Sequence, residues 1–287
     1  MRFWERWARR SRAERPSRTV KGKEVGRSHM ARLGIISDIH GNRVALEAVL
    51  REVDRRDVDA LVCLGDIVGY GPEPAACLSI VRRTCRLVIR GNHEEAVVQP
   101  GGVATMNAVA RVGVEFARKQ LSEAELGMVR RLPASFSISR MVLGVHDSPA
   151  PAEFGARYLR GISDAAEAFE WFEEPFCLVG HTHVPMCVTT TVEAREGIVT
   201  PDDIEVRAVA EAPDSGIVLP DSGRAIINPG SVGQPRDRDP RASFAVLDLG
   251  RGTVEFPRVE YDIAEAMRRA EQAGLPGILG ERLAIGA

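Results

Sequence analysis

Hydrophobic and polar positions along the chain fall into two textures. From residue 32 to about 180, short apolar runs alternate with helical faces. A run at 33–36 predicts a strand; beyond it Leu46, Val49, Leu50 and Val53 recur at i, i+3, i+4 and i+7 and predict a helix over 44–56. Strands follow at 59–64 and 86–90, with a helix over 72–83 between them, where proline suits the first turn. Met106, Ala110, Val114 and Ala117 share one side of a helix predicted over 103–120, and Ser122-x-x-Glu125 has the form of a capping box opening the next. Strands at 136–139, 141–145 and 176–179 bracket a helix over 163–173. From 186 to 260 the chain turns strand-rich, with alternating or β-branched stretches at 187–192, 204–209, 225–227, 244–249 and 254–259. A last helix is predicted over 262–273, with Pro276 limiting its extension.

Strand–helix alternation followed by a strand-rich half predicts an α/β fold: two sheets face each other as a β-sandwich and helices flank them, in four αββα layers. Residues 193–223 are acidic and punctuated by Pro and Gly, and are expected to be an insertion, either an elaborated hairpin or a surface flap.

The chain has 287 residues, 44% hydrophobic and 27% charged, enough for a substantial core. No stretch approaches the roughly 20 apolar residues of a membrane span. The net charge of −2 is unevenly placed: residues 1–30 carry ten Lys/Arg against three Glu, a net +7, and the rest carries 28 basic against 37 acidic residues, a net −9. Residues 1–30 are therefore expected to be a basic, disordered tail, and 31–287 the folded domain. An acidic domain is unlike a nucleic-acid coat and suits a protein that gathers divalent cations. The five cysteines form no C-x-x-C pair. They predict buried thiols, with neither disulfide framework nor zinc knuckle, in a reducing, cytoplasmic setting. A homo-oligomer is left open.

Sites in open α/β sheets lie beyond the carboxyl ends of the strands. Here successive strands run into Asp38-Ile39-His40, Gly65-Asp66, Gly91-Asn92-His93-Glu94, His146 and Gly180-His181-Thr182-His183. Five of the six histidines stand in these loops. Mixed carboxylate and imidazole donors suit Mn, Fe, Zn or Ni better than Ca or Mg. Their number exceeds the needs of one four-coordinate ion and predicts two divalent ions, Mn first among them, sharing a carboxylate. No G-x-S-x-G, base-paired cysteine or G-x-G-x-x-G points to another chemistry.

In that order, D-x-H at 38–40, G-D at 65–66, G-N-H-E at 91–94, the single His146 and G-H-x-H at 180–183 resemble the calcineurin-like metallophosphoesterases. The stretches 36–42, 65–72 and Asn228-Pro229-Gly230-Ser231 are similar to the bacterial and archaeal phosphodiesterase branch that includes YfcE-like proteins. The resemblance implies one metal held by Asp38, His40 and His183, a second by Asn92, His146 and His181, and Asp66 bridging them. His93 would face the substrate, a small phosphate ester. The expected reaction is in-line attack on phosphorus by a metal-bridging hydroxide, with His93 protonating the leaving oxygen or stabilising the transition state. Phosphoprotein phosphatases of the family carry G-D-x-x-D-R-G; here Gly69 and Tyr70 stand where Asp and Arg would be. The missing Arg favours a diester over a monoester, with dinucleoside polyphosphate hydrolase or phosphomonoesterase activity as the alternatives. A scaffold that has lost catalysis would be expected to lack ligands that are present here. Asn42 and Tyr70 are candidate substrate contacts or else a turn-former and a packing aromatic. Arg236 is either a phosphate contact or a solvated member of the run 236–239, and Asn228 is a candidate brace from the second sheet.

Overall fold

β1 (Arg32–Ile36) sits in the middle of the first sheet and has both faces covered. Leu33 and Ile35 enter the core between the sheets, whereas Ile36 enters a core beneath helices, the period-2 alternation of a pleated strand. The computed structural model describes residues 32–99, 101–104, 106–151, 158–194, 197–209 and 216–287; the expected tail at 1–30 lies outside them.

The first sheet runs β3 (Leu87–Val88), β2 (Ala60–Cys63), β1, β12 (Ala245–Asp248), β13 (Thr253–Glu255), β9 (Ile217–Val218). Its first three strands are parallel. β12 returns antiparallel to β1, with Leu33 opposite Leu247 and Ile35 opposite Ala245. The second sheet runs β4 (Ser135–Ile138), β5 (Val142–Val145), β6 (Phe176–Leu178), β10 (Arg224–Pro229), β7 (Pro185–Thr190), β8 (Ile204–Arg207). A small pair, β11 (Ala242–Ser243) with β14 (Arg258–Val259), completes the strands. Leu33, Ile35, Val62, Leu64 and Ile89 of the first sheet pack on Phe136, Leu178, Cys187, Ala225 and Ile227 of the second.

Helices α1 (Arg43–Arg55), α2 (Pro74–Thr84), α3 (Asn92–Val98), α4 (Ala108–Gln120) and α5 (Glu123–Val129) cover the outside of the first sheet. α6 (Ile162–Phe169) covers the outside of the second, over Cys177, Val188 and Ile226. The four layers expected from the sequence are thus present. None of the helices among the described residues is long and apolar enough to cross a membrane. All five cysteines are free thiols, and four of them are buried.

Four elements differ from the sequence expectation. α4 begins at Ala108 rather than 103, because the Asn107 side chain accepts the Ala110 N–H at 2.9 Å and caps the helix there. The stretch 254–259 splits at Pro257 into β13 and β14, which belong to different sheets. The segment expected as a flap, 193–223, supplies β8 and β9, an edge strand to each sheet. Pro276 does not end the helical region: after α7 (Ile263–Gln272) it is the N-cap of a further helix, α8 (Gly277–Ile285), packed on α7.

Arg224 ties α6 to the second sheet. It is 5% exposed, and its guanidinium donates to the carbonyls of Phe169, Phe172 (2.9 Å) and Val192 (3.3 Å) while lying over both phenylalanine rings. The first two are carbonyls at and just beyond the C-terminus of α6, where a cation is favourable, and the third follows β7. Arg224→Ala leaves them without partners and opens a void. It is expected to cost roughly 2–4 kcal/mol, read as a lowered urea midpoint at unchanged slope; a loss under about 0.5 kcal/mol, the usual range for surface substitutions, would contradict this role.

Candidate metal centre

The loops leaving the strand ends are bent by residues in a backbone region that side chains other than glycine rarely adopt. Asp38, His40, Asp66, Tyr70, His181 and His183 all have φ between 48° and 65°. Such strain concentrates where surrounding structure over-determines it, typically at functional sites. Here the over-determination is visible. The Asp38 carbonyl accepts from Ser231 Oγ and Gly233 N at 2.8 and 2.9 Å, and Asp38 Oδ2 accepts the His181 N–H at 3.1 Å. Asn228 donates to Gly180 O and Thr182 Oγ1 at 2.7 and 2.9 Å, bracing the second sheet's loop as its sequence position anticipated.

Glu94 is the central brace. It is fully buried, and its two oxygens accept four backbone N–H groups, those of Asp66, Ile67, Val68 and Gly91, at 2.7–3.0 Å. Burial, then the nearby Asp66 charge, push its pKa up to about 7, while the amide bonds act in the opposite direction. Gly91 is required beside it: a Cβ there would lie 2.2 Å from Asp66 Oδ1.

Three overlapping groups of ligand atoms result: Asp38, His40 and His183; His40, Asp66 and His93; and Asp66, His146 and His181, with Asn92 Oδ1 3.2 Å from His146 Nε2. His40 links them, its Nε2 lying 3.7 Å from Asp66 Oδ2. Three of the rings hold their Nδ1 against carbonyl oxygens: His40 on Val68, His146 on Leu64 and His183 on Gln234, at 2.6–3.1 Å. A carbonyl can only accept, so Nδ1 carries the proton and Nε2 of each neutral ring presents a lone pair. The lone pairs of His40 and His183 then face each other at 3.0 Å, and that of His183 also faces Asp38 Oδ1 at 3.2 Å. His181 Nε2 and Asp38 Oδ1 are buried without a hydrogen-bond partner. Acceptors converging on acceptors call for positive charge between them, and the donor set fits divalent transition metals.

The proton affinities carry the same message. Burial pushes Asp38 upward, but the His183 ring outweighs it and holds the carboxyl well below its usual range; Asp66 is likewise depressed, burial being outweighed by His146 and His93. Burial lowers His40 strongly, and burial followed by the His146 charge takes His181 down to about 3. His146 goes the other way: burial lowers it, yet Asp66 carries it up to about 10, a demand for positive charge at Nε2.

A cleft of about 840 Å³ opens above this floor, lined by Asn92, His146, His181 and His183 and also by Tyr70, Tyr158 and Arg236. His93 lines it too, with Nε2 4.0 Å from Asp66 Oδ2 and a buried Nδ1 that has no partner among the described residues. Burial, the largest cause, brings the His93 pKa down to about 4, which favours the uncharged ring near neutral pH. Tyr70 packs edge-on to His40 and beside His93 at 4.7 and 4.8 Å. The Arg236 N–H reaches the His183 carbonyl at 3.2 Å, which turns the side chain into the cleft, 5.8 Å from the Tyr70 ring centroid.

Asn42 takes the turn-forming one of its two expected roles. Its Oδ1 caps α1 at Ala45 N (3.1 Å) and its Nδ2 donates to Gly233 O (3.0 Å), so the side chain is taken up by loop structure and does not line the cleft. Sequence reasoning passed over Glu94, Ser231 and Tyr158, whose ring lies 4.0 Å from that of His181. Glu94 had a signal in its place within Gly91-Asn92-His93-Glu94; Tyr158 had none.

Glu94→Gln keeps the shape but turns an NH2 toward two backbone donors. It is expected to weaken metal affinity about 10–100-fold in competition with a chelator while far-UV circular dichroism stays unchanged; wild-type affinity would refute the bracing role.

A family profile described as the calcineurin-like phosphoesterase superfamily domain matches residues 31–252. The uncharacterized protein MJ0912 of Methanocaldococcus jannaschii is 32% identical over 257 residues, covering 88% of this chain and 98% of that one. Among solved structures, a metallophosphoesterase from Sphaerobacter thermophilus is 40% identical with a TM-score of 0.74, over 90% of this chain and 100% of that one. PH1004 from Pyrococcus horikoshii OT3 shares the fold at 19% identity and a TM-score of 0.67, over 90% and 99%. The profile spans all five ligand-bearing loops, and the chain belongs to the calcineurin-like phosphoesterase superfamily.

Proposed function

We propose that the protein is a dinuclear metal-dependent phosphodiesterase acting on a small or nucleotide-type diester. One observation carries the reading: three ligand groups overlap through His40 and Asp66, and Asp66, Asn92, His146, His181 and His183 of this set line one cleft. Asp38, His40 and His183 would hold one ion, Asn92, His146 and His181 the other, with Asp66 between them. Mn is the preferred metal, with Fe, Zn or Ni as alternatives for the same donors. Bound ions would supply charge neutralisation at the phosphoryl oxygens and bring a water nucleophile toward neutral pKa.

The chain's own groups account for the rest. Arg236 donates to a phosphoryl oxygen at the cleft edge; its Nε is buried without a partner, and its guanidinium pairs with no carboxylate in any ion pair seen among the described residues. His93 hydrogen-bonds the leaving oxygen, where charge develops. Tyr70 fills with an uncharged ring the place where a phosphoprotein phosphatase would carry Arg; of the two arginines lining the cleft, Arg90 pairs with Glu95 at 3.0 Å and leaves Arg236 for the substrate, which suits a singly charged diester better than a dianionic monoester. The cleft volume has room for nucleotide-sized groups on either side of phosphorus.

His93→Ala is expected to lower kcat about 10²–10⁴-fold with metal content intact, whereas Asp66→Asn loses both metal and turnover. Equal metal loss in the two variants would remove His93 from the substrate side. A panel of aryl monoester, aryl diester, 2′,3′-cyclic nucleotide and dinucleoside polyphosphate with Mn-loaded protein should favour diesters in kcat/KM. A monoester preference would overturn the subclass and leave the enzyme class standing.

A further inference from the structure

The family profile stops at residue 252, yet residues 263–287 touch both loops that bring Tyr70 and Arg236 to the cleft. Tyr70 is 6% exposed and packs on Ala270, Leu275 and Leu279 of the α7–α8 pair. Just beyond it, Glu73 pairs with Arg269 of α7 at 2.8 Å and with Arg43 of α1 at 3.5 Å. At the far end of α8, Gly286 caps the helix in the left-handed conformation, and its carbonyl accepts the Arg238 N–H at 2.9 Å. A Cβ on Gly286 would lie 2.7–2.8 Å from the Asp239 backbone. The pair therefore abuts the chain two or three residues from Arg236 and backs the ring over which Arg236 lies.

We propose that α7–α8 is a positioning element for substrate affinity, holding Arg236 and Tyr70 over the metal floor. This inference rests on the reading that Arg236 meets the phosphoryl group. The pair contributes none of the ligand atoms grouped above, so changes in it move affinity for the ester and for free phosphate while metal content stays fixed.

Two glycines provide a matched test. Gly286→Val adds a Cβ against Asp239; Gly274→Val, in the turn between the helices, suffers the same left-handed strain (φ 74° against 63°) but meets nothing within 4 Å. Both should lower Tm. Only Gly286→Val should raise KM for an aryl diester and the Kd of inorganic phosphate by calorimetry, each roughly tenfold, with kcat within about twofold and metal content unchanged. Gly286→Ala carries the same Cβ and serves if the valine variant does not fold. In an Arg236→Met background, itself raising KM, Gly286→Val should add nothing. Equal KM values in the two glycine variants, or additive effects with Arg236→Met, would overturn the proposal alone. An Arg236→Met variant with wild-type KM would instead remove the phosphoryl contact, and the proposal with it.

Discussion

Two carboxylates and several imidazole lone pairs are packed at the edges of two sheets with almost no exposure to solvent, and they repel one another. Asp38 and Asp66 are 0% and 1% exposed. Burying such charge without compensation is costly, and breaking up its surroundings costs more. Much of the local structure answers to this constraint. Carbonyls of Leu64, Val68 and Gln234 hold three Nδ1 protons outward so that Nε2 faces in. Glu94 gathers four amides to pin the loop carrying Asp66. A cation between the groups turns the whole arrangement from repulsive to attractive.

The same constraint explains the backbone. Six non-glycine residues at this edge adopt positive φ, and Ser231, Asn228 and Glu94 bond to the loops that carry Asp38, His181 and Asp66. Chemistry is divided between the sheets. The first carries Asp38, His40, Asp66 and Asn92 beyond its strands, and the second carries His146, His181 and His183. Arg236 enters from the connection between β10 and β11, the same connection whose Ser231, Gly233 and Gln234 hold Asp38 and His183.

Much of this was legible in the sequence. The candidate ligands could be listed because each follows an apolar run, and strand ends in a layered α/β fold face one way. The four layers followed from the change of texture near residue 186. What escaped was whatever depends on backbone partners far away in the chain. Glu94 acts on amides 26–28 residues before it, which no periodicity reveals. Asn42, just after His40, could be read as a pocket residue or as a turn-former, and only the bond to Ala45 N separates the two. Arg236 looked solvated within four alternating charges until the His183 carbonyl turned it inward. Pro276 was read as a stop, but a proline before a helix is as good a beginning, and α8 begins there.

β1 has one consequence for how the molecule comes into being. Its neighbours are β2, formed early, and β12, some two hundred residues downstream, so the middle of the first sheet stays half-paired until the chain is nearly whole. The Asp38 carbonyl waits equally for Ser231 and Gly233. Contacts of such sequence separation close slowly. A ribosome-bound chain therefore exposes its first two motifs long before the loops of the second sheet exist to meet them, and the cluster can be complete only once most of the chain has been made.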